Sequence, residues 1–390
     1  MLHDRLPDQP WCRHRSLLET AALLEAAAPR FGVARIGSIT RLDGLGIPAV
    51  TVIRADPVGE SVSICTGKGA TELEARVGGL AEALERYCAE PRGRLEVITN
   101  SYEALAAEAL APERLALPLE ADSRAPLDWV RGRTLQGQPL WIPANAVFFP
   151  YSPSQGAVAL FASHTTGVAA GATVEEALVF ALLECIERDA YSRAVALATV
   201  GRGHEIATLD CEEARRTAPG EVDSLTQAGM SYLIRDLTCD TGVPTYLCTI
   251  SDGFQTHSGC TARPDGARAL REAIREATQS RLTDIQGARE DLTERALKSE
   301  VDDWFLQPGS SATVALTQGW HADTPEAALD RLHQQLRTLS RPVQAVWVDL
   351  SLEGVDAAVV RAITPGLELW AFDPTRAGPR SRDWLCPPPA

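Results

Sequence analysis

The strongest constraint on this chain is an internal match at an offset of 102 residues. Gly69 to Arg86 (GATELEARVGGLAEALER) laid over Gly171 to Arg188 (GATVEEALVFALLECIER) is identical at ten of eighteen positions, including Glu82/Glu184, Glu85/Glu187 and Arg86/Arg188. Each copy opens with Thr and carries Glu three residues later, the capping-box pattern in which a hydroxyl and a carboxylate satisfy the first free amides of a helix. Two helices are therefore predicted to start at Thr71 and Thr173. Ala75, Val77, Leu80 and Leu84 supply the buried stripe of the first, and Ala177, Leu178, Ala181 and Ile186 that of the second. At the far end of each helix the two acids form an i, i+3 pair on one face, and the following Arg lies i, i+4 from the first acid.

A single ExxER reads as a solvated face whose surface pairs contribute about 0.3–0.5 kcal/mol. Two copies on duplicated, capped helices reverse that reading, because surface pairing does not require the same spacing twice. Mg²⁺ takes oxygen ligands, commonly one or two carboxylates with substrate phosphates, so two converging pairs can hold more than one ion against a nucleotide. The arginines then supply bidentate contacts to phosphate oxygens. A third segment, Arg271 to Arg281 (REAIREATQSR), sets Glu276 and Gln279 at the same i, i+3 spacing, and Arg289 follows in GARED. Alone, that segment reads as an ordinary charged helix. Gly67-Lys68-Gly69 stands before the first acid helix, where Lys68 can meet a nucleotide, although the spacing is not that of a P-loop. His164-Thr165-Thr166-Gly167 stands at the corresponding place before the second.

Around these helices, β-branched runs at 47–53, 61–65, 232–236, 245–250, 343–348 and 359–363 read as strands, and helical patterns cover 16–28, 73–89, 175–198, 267–286 and 325–339. The alternation predicts an α/β protein, and 390 residues exceed what one hydrophobic core normally serves. A formal charge of −15 argues against a nucleic-acid surface or an anionic lipid partner. No apolar run is long enough to span a membrane, and Asp4 and Asp8 interrupt any signal-peptide pattern in Met1 to Pro10, so the expected location is cytoplasmic. Nine cysteines without a CxxC pair suggest buried thiols rather than a disulfide framework or a zinc knuckle.

At these motifs the sequence resembles the YcaO family, whose members use ATP to activate backbone amides of peptides. The resemblance is carried by GKGAT (67–71), ExxER (82–86), GVAAGATVEEA with LLECIERDA (167–190), RDLTCDTGVP (235–244) and REATQSRLTDIQGARED (275–291), with TRLDGLGIPAV (40–50) and PGLE (365–368) beyond them. It implies a YcaO-type fold, with mixed sheets and the duplicated carboxylate helices around a nucleotide site. The implied organisation is one catalytic domain over 1–390, with an ATP/Mg core at 30–300 and a C-terminal lobe at 301–390 ending in a proline-rich tail. The implied cofactors are ATP and Mg²⁺. Glu82, Glu85, Glu184 and Glu187 are the implied metal ligands and, with Arg188, the implied catalytic set. Lys68, Arg86, Arg188, Glu276, Gln279, Arg281 and Arg289 are the implied contacts to nucleotide and phosphate. Gly78, Phe180, Thr165-Thr166-Gly167 and Arg263 depart from the family pattern at positions tied to the nucleoside.

Within the family, TRLDGLGIPAV, PGLE and the lack of a fused E1-like domain resemble the stand-alone branch that works with a TfuA-type partner to make peptide thioamides. The tail Cys386-Pro387-Pro388-Pro389-Ala390 approaches instead the alternating-proline ending of azoline-forming cyclodehydratases, which act on Cys, Ser or Thr of a precursor peptide. The third reading is a non-catalytic scaffold that binds a precursor peptide for a partner enzyme. The expected partners are thus a precursor peptide or protein and a TfuA-like or E1-like protein. The resemblance also leaves a homodimer open.

Overall fold

The computed structural model of the chain describes residues 12–290, 304, 305, 307 and 311–386. Helix α1 (Leu17–Ala27) leads into strands β1 (Val33–Ser38), β2 (Ala49–Arg54) and β3 (Ile64–Lys68), then helix α2 (Glu72–Ala89). Next come β4 (Val97–Asn100), the single turn α3 (Tyr102–Leu105), β5 (Leu127–Thr134), β6 (Pro139–Pro143), β7 (Val168–Gly171) and α4 (Val174–Thr199). These are followed by β8 (Thr208–Leu209), α5 (Cys211–Thr217), α6 (Pro219–Gln227), β9 (Ser231–Asp236), β10 (Thr245–Ser251), β11 (Thr256–Ala262) and α7 (Gly266–Gln286). The last described elements are β12 (Thr313–Val314), α8 (Pro325–Thr338), β13 (Val346–Asp349), β14 (Ala358–Ile363) and α9 (Pro379–Leu385).

The strands form three sheets, in the orders β1-β2-β3, β11-β10-β9-β8-β12 and β4-β5-β13-β14-β7, with β6 on β5. The strands expected at 47–53 and 61–65 are β2 and β3, paired antiparallel with Thr51 opposite Thr66. β13 and β14 stand between β5 and β7, so the expected C-terminal lobe contributes the middle of a sheet that the core also builds. Pro387, Pro388 and Pro389 lie outside the described residues, as do Met1 to Pro10 and Asp291.

β3, β7 and β11 are each the last strand of their sheet, and each runs directly into a long helix, α2, α4 or α7. Three strand–helix units therefore exist where the repeat announced two. Their N-caps, Thr71, Thr173 and Asp265, each accept from the backbone amide three residues on. The capping boxes are only half closed, which corrects the expectation for the first two helices. Glu74 accepts from Ala70 N at 2.5 Å, and Glu176 accepts from His14 N at 2.9 Å, so neither carboxylate returns to its own cap.

Each helix lies hard against its strand, which is why the repeat keeps glycine. A Cβ on Gly69 would stand 2.7 Å from Ala75 N, and one on Gly171 2.5 Å from Ala177 N. Ala75, Leu80 and Leu84 are buried as expected, the two leucines in a core shared with Val52, Trp129 and Val359. Val77 is only partly buried, because its face of α2 borders a cavity. The stripe on α4 packs on Leu332 and Leu336 of α8 and on Val360 of β14. Six of the nine cysteines are buried and none is bonded to another among the described residues. No helix among those residues is long and apolar enough to cross a membrane.

Candidate functional site

The three units enclose a cavity of about 850 Å³. An edge strand leaves amides without a sheet partner, and an amide facing a cavity must find another acceptor. Here the acids serve. Thr66 N, before α2, donates to Glu82 at 2.9 Å, and Gly167 N, before α4, donates to Glu184 at 3.0 Å. The second member of each pair reaches the next unit instead: Ala170 N of β7 donates to Glu85 at 2.7 Å, and Ala262 N of β11 to Glu187 at 3.3 Å. Gln279 completes the circuit, its amide donating to Thr66 Oγ1 of β3 at 2.7 Å. Unit one is thus tied to unit two, two to three, and three back to one.

Glu82, Glu184 and Glu276 each stand eleven residues after their N-caps, so the three helices deliver them to the same depth. Lys68 at the end of β3 crosses to Glu276, with Nζ 2.6 Å from Oε2. Arg86 lies 3.3 Å from Glu82, while Arg188 lies 3.7 Å from Glu184 and 3.5 Å from Glu187. Arg289 also lines the cavity. The structure therefore brings together Glu82, Glu85, Glu184, Glu187, Glu276, Lys68, Arg86, Arg188, Gln279 and Arg289.

Arg281 is not among them, which corrects its expected contact with nucleotide. Its guanidinium sits 2.8 Å from Asp252 and 3.5 Å from Asp43, away from the cavity. Residues two apart on a helix do not share a face, so once Gln279 points inward Arg281 cannot. Ser280 and Thr283 line the wall on that side.

Among the expected site residues that line the cavity, five carboxyls face four cations. Burial, with Glu82 and Glu184 adding to it, pushes Glu85 up to about 8 against the Ala170 hydrogen bond. Burial, reinforced by Glu276 and Glu184 and opposed by Arg188, likewise pushes Glu187 up to about 8. Burial would raise Glu276 too, but Lys68, Arg188 and Arg263 hold it below the usual carboxylate range. Two carboxyls raised by burial and by neighbouring acids, oxygen donors on every side, and an amide-anchored oxygen on each of four acids suit a hard divalent cation. The residues present therefore fit Mg²⁺, with room beside it for a nucleotide.

Other lining residues are held by partners distant in sequence or by neighbours on their own helix. Arg13 reaches Glu176 at 2.7 Å and lies 4.1 Å over the Phe180 ring, bringing the start of the described chain to a helix about 160 residues away. Arg263 pairs with Glu272 at 2.6 Å and Arg268 with the same carboxylate at 2.5 Å, and against burial these cations hold Glu272 far below the usual range. The spacing from N-cap to acid could have revealed the third unit. Nothing local points to Arg13.

Residues 66–368 match the family described as YcaO cyclodehydratase, ATP- and Mg²⁺-binding. An uncharacterised protein of Methanothermobacter thermautotrophicus is 36% identical over 368 residues, which span 90% of this chain and 94% of that one. A protein from the tfuA 3′ region of Rhizobium leguminosarum bv. trifolii is 28% identical over 379 residues, 90% of this chain and 87% of its own. Among solved structures, YcaO from Methanopyrus kandleri bound with AMPPCP and Mg²⁺ aligns with a TM-score of 0.75 at 26% identity, covering 94% of this chain and 95% of that one. The mixed helices and sheets described above are thus those of a known architecture, and ATP and Mg²⁺ are its cofactors.

Proposed function

The chain belongs to the YcaO family, and from that premise we propose that it activates a backbone amide of a ribosomally made peptide or protein, with thioamide formation beside a TfuA-type partner as the outcome. The observation that carries the reading is the convergence of Glu82, Glu85, Glu184 and Glu187 on one cavity with Lys68, Arg86 and Arg188. Relationship to a protein encoded in a tfuA region supports the choice of partner.

The four paired glutamates are the metal-holding set, each oriented by its backbone amide so that little reorganisation is needed when the cation arrives. Mg²⁺–ATP, when bound, supplies a phosphoryl group that converts a poor amide oxygen into a leaving group. Arg188, held firmly charged by Glu187, Glu184 and Glu276, faces the negative charge that develops during the transfer, and Arg86 does so from the opposite pair. Lys68 and Arg289 contact phosphate, with Lys68 exchanging Glu276 for the nucleotide, and Gln279 holds β3 in register for that exchange. A sulfur nucleophile then adds to the amide carbon, the carbonyl oxygen leaves with the phosphate, and the thioamide remains.

The alternative is azoline formation, in which a Cys, Ser or Thr side chain of the peptide is the nucleophile, and the cyclodehydratase in the family's description favours it. Intact mass of a candidate precursor peptide after incubation with the chain, ATP, Mg²⁺, sulfide and a TfuA-type partner separates the outcomes. A gain of about 16 Da marks thioamidation and a loss of about 18 Da marks cyclodehydration. No mass change together with no phosphate release would leave only a peptide-binding scaffold.

A further inference from the structure

A second, much smaller cavity of about 50 Å³ lies behind the turn that precedes β7. Thr165 lines the large cavity and Thr166 the small one, so adjacent residues separate the two. The walls of the small cavity include two guanidinium groups, Arg361 on β14, 1% exposed, and Arg376, 6% exposed. Neither forms an ion pair with a described residue, although a buried cation without a counter-charge is costly. Arg361 donates to Ala146 O at 3.0 Å and meets His164 Nδ1 at 3.2 Å. Arg376 donates to Ala116 O at 3.1 Å and Leu115 O at 2.8 Å, and lies 3.7 Å over the Phe161 ring.

On each guanidinium the remaining Nη1 is buried and has no hydrogen-bond partner. Burial pushes both groups down to about 10, with Arg376 adding to the effect at Arg361 and Asp373 and Glu368 opposing it at Arg376. The one carboxylate on the wall, Glu368, is already committed to Gly378 N, Arg380 N, Ser381 N and Ser381 Oγ. Cys185 contributes no negative charge, because burial pushes its thiol up to about 12.

We propose that this cavity is a binding site for one small inorganic anion, held between Arg361 and Arg376 with Thr166 as a neutral donor. The volume sets the size: a water needs about 10–15 Å³ of such space, so the cavity takes a chloride, a hydrosulfide or a phosphate and excludes a nucleotide. The site stands independently of amide activation. Hydrosulfide and phosphate are nevertheless the small anions that the proposed reaction would consume and release, and Cys185, the residue after Glu184, lines the site.

The test is thermal unfolding of the full chain at constant ionic strength while gluconate is exchanged in turn for chloride, phosphate or hydrosulfide. At a hundredfold excess over Kd, a ligand bound only by the folded state raises the midpoint of a chain of this size by about 3 °C. A saturable rise of that order with at least one of the three ions, retained in Lys68→Ala and lost in Arg376→Gln, supports the site and identifies the ion. A rise that Lys68→Ala abolishes and Arg376→Gln leaves intact assigns the anion to the large cavity and overturns the proposal, as does no rise with any ion. Because Arg376→Gln can fail to fold, bromide-soaked crystals of the unsubstituted chain give a second reading. An anomalous peak within hydrogen-bonding distance of Arg361 Nη1 or Arg376 Nη1 supports the site, and empty density there overturns it.

Discussion

The first two strand–helix units and the third share one geometry and differ in chemistry. Units one and two end in Glu, Glu and Arg, whereas unit three offers Glu276, Gln279 and Ser280 at the same turns. Yet Gln279 also reaches the next edge strand, donating to the Thr66 hydroxyl where Glu85 and Glu187 accept from backbone amides. Closing the ring therefore requires a polar group at that place but not a charge. A carboxylate there would join a cavity in which Glu85 and Glu187 are already raised to about 8 by burial and by one another's neighbours.

The largest expected effect separates the two chemistries. Glu82→Gln or Glu184→Gln removes a charged oxygen from the proposed metal set and is expected to lower Mg²⁺-ATP turnover about 100-fold or more. Gln279→Ala, which removes only a link between units, is expected to lower it about 10-fold. Phosphate release with peptide present measures both, and equal losses would erase the distinction.

Next come the close approaches that the units have in common. Gly69→Ala and Gly171→Ala each force a Cβ against the backbone of the following helix, and Gly259→Ala meets Ala273 O at 2.6 Å. Each is expected to cost about 1–3 kcal/mol in unfolding experiments. A small cost in the third unit alone would mean that its helix is seated more loosely than the other two.

Gln279→Glu makes the third unit like its fellows. Without metal it adds a half-buried like charge, and the expected loss is about 1–2 kcal/mol, recovered when Mg²⁺ is added. Unfolding midpoints with and without Mg²⁺ measure this directly. A loss that Mg²⁺ does not relieve would place the strain in packing rather than in charge.

Unit two differs from the others in being backed by the arginine-lined cavity. His164 there is held well below its ordinary range by burial first and then by Arg361, Arg376 and Arg188. A histidine whose folded value is depressed contributes stability that is present above about 6.5, the unfolded value, and is lost as pH falls below it, because only the unfolded chain then takes the proton. The slope from this group is at most about 1.4 kcal/mol per pH unit. His164→Asn should flatten the acid limb of stability against pH by up to that amount, and an unchanged limb would show that the imidazole is protonated in the fold.

How much of this was legible depends on what each signal is made of. The helices α2 and α4 were readable because their N-caps, apolar stripes and acid spacings are local, and α7 because its helical pattern is. The quartet of glutamates proposed to hold Mg²⁺ followed from the duplication. Strands β7 and β11 were not readable: Val168-Ala169-Ala170-Gly171 is short and small, and Thr256 to Ala262 (THSGCTA) is largely polar, so neither shows strand alternation. The glutamates' amide partners sit on exactly those two strands in two cases of four, so the ring could not be seen even where its acids could. Arg281 was misassigned because charge was read without helical phase. The buried arginines of the small cavity have no sequence signal, since an arginine among apolar residues looks like a surface position until the sheet closes over it.

The smallest expected effect distinguishes two adjacent glycines of α2. Both interrupt a helix, where glycine costs about 0.5–1 kcal/mol relative to alanine. A Cβ on Gly79 would come within 2.9 Å of Val52 and 3.1 Å of Val50, so that glycine is required by packing against β2. A Cβ on Gly78 meets nothing nearer than 3.7 Å, and the residue borders the large cavity. Packing therefore does not explain Gly78, and unit two fills the matching position with Phe180. Gly78→Ala is expected to raise stability by about 0.5–1 kcal/mol, whereas Gly79→Ala lowers it. If the open space at Gly78 admits part of the nucleotide, the stabilised variant will show a raised KM for ATP with kcat little changed, which steady-state kinetics would read. An unaltered KM would assign the glycine no role in ATP binding and leave Phe180, under Arg13, as the side of the cavity that meets the nucleoside.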